Sequence, residues 1–126
     1  MKINVRYIIN DLEETVAFYT EKLGFKIDLK VNPGFAALSK DNLNLFLNKP
    51  GYGGAGQPMP DGAVPRPGGW NRFQFEVNNL AEFVEGLKKS NVKFRNEIVT
   101  GQGGKQVLIE DPSGNLIELF QPADKS

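Results

Sequence analysis

Residues 10–19, NDLEETVAFY, align without a gap to residues 78–87, NNLAEFVEGL. Each segment follows an alternating stretch, NVRYII or RFQFEV, and each runs on into a similar exit, GFKIDL or NVKFRN. The chain is one supersecondary unit written twice, so any fold for it has to place two copies of the same elements. In both copies a helix opens on a capping-box pattern, Asp11 with Glu14 and Asn79 with Glu82, in which the cap and the acid three residues on satisfy free amides. Leu12, Val16, Tyr19 and Leu23 then recur at helical spacing, as do Leu80, Phe83, Val84 and Leu87. Each helix is expected to cover one face of a sheet.

The strands of that sheet follow. After the first helix come FKIDLKV, the turn NPG, FAALS, the turn KDN and LNLFLN; after the second come VKFRNEIV, GQGG, KQVLIE, the turn DPSG and NLIELFQ. Each half reads βαβββ, and the class is α+β. Within a single domain over 1–126, module one is expected at 1–48, module two at 70–122 and a C-terminal tail at 123–126. Gly and Pro fill residues 49–69 between the modules and exclude helix and central strand there. That loop is a tether, a ligand lid, or both.

Alternation divides the first strands. Val5, Tyr7 and Ile9 fall on one side against Asn4, Arg6 and Ile8; Phe73, Phe75 and Val77 fall on one side against Arg72, Gln74 and Glu76. The apolar sets are expected to pack on the helices, leaving the polar sets to face a pocket or plain solvent. Leu43, Leu45 and Leu47 share one parity and offer an apolar wall to such a pocket. Trp70, where the loop re-enters the sheet, walls the pocket or caps the core.

Composition removes several chemistries. The 15 basic and 15 acidic residues cancel, with no basic stripe, which argues against a nucleic-acid partner. The opening MKINVRYIIND is too short and interrupted in its apolar run for a signal peptide, and no stretch reaches membrane length, so the expectation is a cytoplasmic protein without a membrane partner. There is no Cys and no His. Disulfides, thiolates, the commonest metal ligand and the usual general base near neutral pH are all absent. Ser39 and Ser113 have no His to activate them. GQGGKQ lacks the residue order of a phosphate-binding loop and precedes no helix.

The doubled βαβββ pattern, the DLEETVAFYTEKLGF segment and the terminal DPSGNLIELFQP resemble the vicinal oxygen chelate superfamily, which includes glyoxalase I, bleomycin-resistance proteins and extradiol dioxygenases. The resemblance implies two modules forming a cupped mixed sheet, with metal ligands of the family's enzymes on the first and last strands of each. Carried onto this chain, those positions are Asn4, Leu45, Arg72 and Glu118. One carboxylate beside a guanidinium does not make a site for a divalent cation, so no metal and no cofactor is expected. Glu118 is expected instead to be the counter-ion of Arg72.

Within the resemblance, the expected function is metal-independent binding of a small molecule, of the glyoxalase and bleomycin-resistance type, to sequester a drug or metabolite. Its ligand-binding residues are Asn4, Arg6, Leu45, Trp70, Arg72, Gln74 and Glu118. The competing reading is a lyase, isomerase or cyclase with Glu118 or Glu76 as general base and Arg72 or Arg6 stabilising an oxyanion. The resemblance also implies a homodimer, with modules paired within one chain or across two.

Overall fold

The computed structural model describes residues 1–124; the last two residues of the expected tail, 125–126, lie outside the described residues. The fold is α+β, with the repeat realised as two βαβββ modules. Module one comprises β1 (Val5–Ile8), α1 (Leu12–Leu23), β2 (Lys26–Val31), β3 (Phe35–Lys40) and β4 (Leu43–Asn48). Module two comprises β5 (Phe73–Glu76), α2 (Leu80–Lys89), β6 (Lys93–Phe94), β7 (Val99–Thr100), β8 (Gly104–Glu110) and β9 (Leu116–Pro122). No helix among the described residues is long and apolar enough to cross a membrane.

Each module builds its own mixed sheet. In the first the order is β1-β4-β3-β2, with β1 and β4 parallel and the other pairs antiparallel. The second repeats the arrangement as β5-β9-β8-β6, with β7 also paired to β8. The caps form where the pattern put them: the side chains of Asp11 and Asn79 accept from the backbone N–H of Glu14 and Glu82, at 2.8 and 3.1 Å. Helix α1 ends at Gly24, whose φ of 75° is the left-handed conformation that lets the next residue turn back, and Phe25 N–H donates to the Tyr19 carbonyl.

The helix stripes and one face of each sheet supply the cores. In module one Leu12, Val16, Tyr19 and Leu23 are buried, together with Tyr7, Ala36, Leu38, Leu45 and Leu47 from the strands. Tyr19 sits edge-on between Phe18 and Phe25, with ring centroids 5.1 and 5.4 Å away. In module two Leu80, Val84 and Leu87 are buried with Val107, Ile109, Ile117 and Leu119.

One expected strand is broken. VKFRNEIV alternates well enough for a single element, yet only Lys93–Phe94 and Val99–Thr100 pair with β8. Between them the side chain of Asn96 accepts from Leu108 N–H at 2.9 Å, taking a donor that a continuous ladder would use. Short polar side chains compete with strand pairing in this way.

By contact density the chain falls into two units, one of Met1–Gly68 with Pro112–Asn115, the other of Gly69–Asp111 with the chain from Leu116 on. The loop expected to be a tether over 49–69 thus belongs to the first unit as far as Gly68. Residues 49–63 are wound into consecutive turns, with bonds such as Gly51 N–H to Gly56 O at 2.7 Å and Met59 N–H to Ala63 O at 2.7 Å. The first unit is clasped by its borrowed segment. Asn115 donates from Nδ2 to the Ile8 carbonyl at 2.9 Å and accepts on Oδ1 from Gly68 N–H at 2.8 Å, while Ser113 Oγ accepts from Asn10 N–H at 2.8 Å. Asn115 is buried, so Asn115→Ala strands a carbonyl and an amide and should lower stability by about 2 kcal/mol in urea denaturation. A loss within a few tenths of a kcal/mol would mean that water replaces the amide at no cost.

Candidate functional site

The site candidates lie on the sheet faces turned away from the helices. In module two, β5 and β9 run parallel in the register Phe73 to Ile117, Gln74 to Glu118 and Phe75 to Leu119. Ile117 and Leu119 are fully buried against the helix side. Strand alternation therefore turns Gln74 and Glu118 to the opposite face, together with Leu108, the partner of Glu118 on β8.

Glu118 is almost enclosed there, its side chain 10% exposed, and it is held by charge and hydrogen bonds. Arg72 donates to Oε1 from Nε at 3.0 Å and from Nη2 at 2.8 Å; Gln74 Nε2 donates to Oε2 at 2.6 Å. A carboxylate removed from water needs such partners, and a guanidinium fork is well suited because it offers two N–H groups at fixed geometry. The structure brings Arg72, Gln74 and Glu118 together, as the counter-ion expectation for Glu118 requires.

A second carboxylate sits on the same face. Glu110 accepts from Arg95 Nε at 3.0 Å and lies 3.8 Å from Lys93 Nζ. Trp70 joins the two clusters: its carbonyl accepts from Arg72 Nη1 at 3.3 Å, and Arg95 lies over its indole with Cζ 5.6 Å from the ring centroid. At 68% exposure, Trp70 caps no core. The sequence reading missed Glu110, Arg95 and Lys93. KQVLIE carried a usable signal, since Glu110 shares the parity of Leu108 and Gln106, opposite the buried Val107 and Ile109.

Module one corrects one candidate. Leu45 was expected to correspond to Glu118, but β1 and β4 pair Val5 with Leu45 and Arg6 with Phe46. Counting from the helix caps, Val5 matches Phe73, so Leu45 matches Ile117, and Phe46 matches Glu118. Leu45 is 0% exposed on the helix side and lines no open face. Of the apolar wall expected of Leu43, Leu45 and Leu47, Leu45 and Leu47 belong to the core, and Leu43, half-buried, shares their side of β4. The open face of module one instead carries Phe46, set edge-on to Phe35 at 5.8 Å, with Arg6 Cζ 5.3 Å from its ring centroid. Asn4 is exposed just before β1, and Glu76 is exposed at the end of β5, outside the bonds that hold Glu118.

A divalent cation does not fit these residues. At the positions carried over from the family, module two offers an Arg and one carboxylate whose two oxygens already accept from Arg72 and Gln74, and the matched positions in module one are an amide and a phenyl ring. No group of three or more His, Cys, Asp or Glu side chains among the described residues is placed to hold a metal ion.

Comparison with known proteins gives a consistent assignment. The family model of the Glyoxalase/Bleomycin resistance protein/Dioxygenase superfamily matches residues 4–119. A probable chloroplastic lactoylglutathione lyase of Arabidopsis thaliana is 29% identical over 94% of this chain and 35% of its own length. A putative lactoylglutathione lyase of Brassica oleracea var. gemmifera is 25% identical over 94% of this chain and 43% of its own. The chain thus spans less than half the length of these relatives. Among solved structures, a lactoylglutathione lyase from Agrobacterium tumefaciens superposes with a TM-score of 0.74 at 20% identity, covering 96% of this chain and 92% of the other. A glyoxalase/bleomycin resistance protein/dioxygenase from Nocardioides gives 0.75 at 21% identity, covering 100% and 85%. At these identities the superpositions establish the fold.

Proposed function

We propose that this chain, which belongs to the Glyoxalase/Bleomycin resistance protein/Dioxygenase superfamily, binds a small organic molecule without a metal ion and serves to sequester a drug or metabolite. The observation that carries this reading is the engagement of Glu118, whose two oxygens accept from Arg72 and Gln74. An acid bonded in this way is part of a fixed polar wall. A ligand meets side chains whose positions are already set, which lowers the ordering cost of binding.

A second reading has one specific support, the name lactoylglutathione lyase carried by the sequence relatives. An enzyme built on these residues would use Glu118 as base and Arg72 on an oxyanion. Any substrate proton then competes with Arg72 and Gln74 for the carboxylate oxygens.

Elemental analysis of dialysed protein tests the metal-free premise that both readings share, and an assay of lactoylglutathione lyase turnover separates them. The expected result is far less than one Zn, Ni, Fe or Mn per chain, with no lactoylglutathione lyase activity whether or not Zn or Ni is added. One tightly held metal per chain, or metal-stimulated turnover, overturns the proposal. Binding itself is read from the melting temperature across a compound panel, because a ligand that binds only the folded state must raise it.

A further inference from the structure

Charge is spread unevenly over the open face of module two. Its two paired carboxylates are sunk, with Glu118 and Glu110 side chains 10% and 11% exposed, while the cations that cover them reach further out: Arg72 at 29%, Arg95 at 36% and Lys93 at 75%; its third carboxylate, Glu76, is exposed at the end of β5. Around these two pairs three cations stand against two carboxylates, so the layer nearest solvent is positive there, although the whole chain is neutral. The guanidinium groups also keep donors in hand. Of the five N–H groups of Arg72, three are used on Glu118 and the Trp70 carbonyl; of those of Arg95, one is used on Glu110. Both groups are anchored to Trp70, one through its carbonyl and one over its ring, and the indole is otherwise largely exposed.

From this arrangement, and resting on the binding reading above, we infer that the ligand is a planar aromatic anion, a carboxylate or a group of like charge and shape. Its ring packs on the exposed indole of Trp70 beside Arg95, and its charge takes the remaining N–H groups of Arg95 and Arg72. Glu110 and Glu118 do not touch the ligand; they fix the two guanidinium groups in place. Stacking on an indole rewards a flat π-system, and an anion gains charge-assisted bonds that a neutral amide of the same shape cannot make.

Isothermal titration with three probes tests this: trans-cinnamate, the neutral trans-cinnamamide, and cyclohexanecarboxylate, which keeps the charge and loses the flat ring. Cinnamate is expected to bind at least about tenfold tighter than the amide, as one or more charge-assisted hydrogen bonds imply. Its binding should weaken with added salt. Arg95→Gln should erase the preference for cinnamate over the amide. Arg95→Lys should restore part of it, which guards against a loss caused by misfolding, and circular dichroism checks that each variant keeps its fold. Trp70→Leu should erase the preference for cinnamate over cyclohexanecarboxylate. Equal affinity for cinnamate and its amide, retention of the preference in Arg95→Gln, or no binding of cinnamate overturns the inference. If other compounds in the panel still raise the melting temperature, the binding reading survives that failure; if none does, both fall.

Discussion

Leu45→Glu should leave the protein largely unfolded, whereas Phe46→Glu, one residue further on, should leave it folded. Leu45 is 0% exposed and opposes Val5 and Leu38 in the helix-side core, so a carboxylate there is cut off from water among apolar side chains. Burying it, charged or protonated, is expected to cost on the order of 5 kcal/mol or more, comparable with the whole stability of a small domain. Phe46 is half-buried on the open face, beside Arg6. Its replacement forfeits the edge-on contact with Phe35 and some apolar burial, about 1–2 kcal/mol, part of which an Arg6 pairing offsets. Thermal melts followed by circular dichroism distinguish the two variants. A folded Leu45→Glu with an unfolded Phe46→Glu would show that the register of β4 is shifted by one.

Arg72→Ala should be the costliest change on the polar face. It strands Glu118, whose side chain is 10% exposed, with Gln74 as its remaining donor. Breaking one side of a buried pair costs about 3–5 kcal/mol; the partial exposure of Arg72 and the retained bond to Gln74 put the expectation near 2–3 kcal/mol. Glu118→Ala should cost less, because Arg72 can turn to solvent. The double variant should be more stable than the sum of the singles predicts by at least about 1 kcal/mol, the signature of direct coupling. Strict additivity in urea denaturation would mean that the bonds at 2.8 and 3.0 Å contribute nothing net.

These two predictions also mark where sequence was readable. The repeat, the caps at Asp11 and Asn79, the helix stripes and the turning of Arg72, Gln74 and Glu118 to one face follow from periods of 3.6 and 2, which the side chains display directly. The misplacement of Leu45 arose because DNLNLF was matched to GNLIEL by likeness. Register depends on the turns: Lys40 pairs with Leu43 across two residues, while Glu110 pairs with Leu116 across five. That odd difference sends the residue at the same distance from the turn to opposite faces. The break between β6 and β7 was hidden because a side chain, Asn96, takes up a strand amide, and nothing in the alternation of VKFRNEIV distinguishes Asn96 as an acceptor from Asn96 as a strand residue. The cluster of Glu110, Arg95 and Lys93 needs residues far apart in sequence to meet, and only the pairing of β6 with β8 brings them together.

The clasp at Pro112–Asn115 bears on how such a chain can be inherited. Two near-copies in tandem suggest modules that recombination can trade singly, with the Gly- and Pro-rich loop as the natural crossover point. A transplanted first copy, however, would arrive without Asn115, leaving the Ile8 carbonyl and the Gly68 amide to whatever turn its new neighbour supplied. The heritable piece is therefore longer than the repeat: a first copy travels with the five-residue turn of the second, and the two halves of the gene are bound to diverge as a pair.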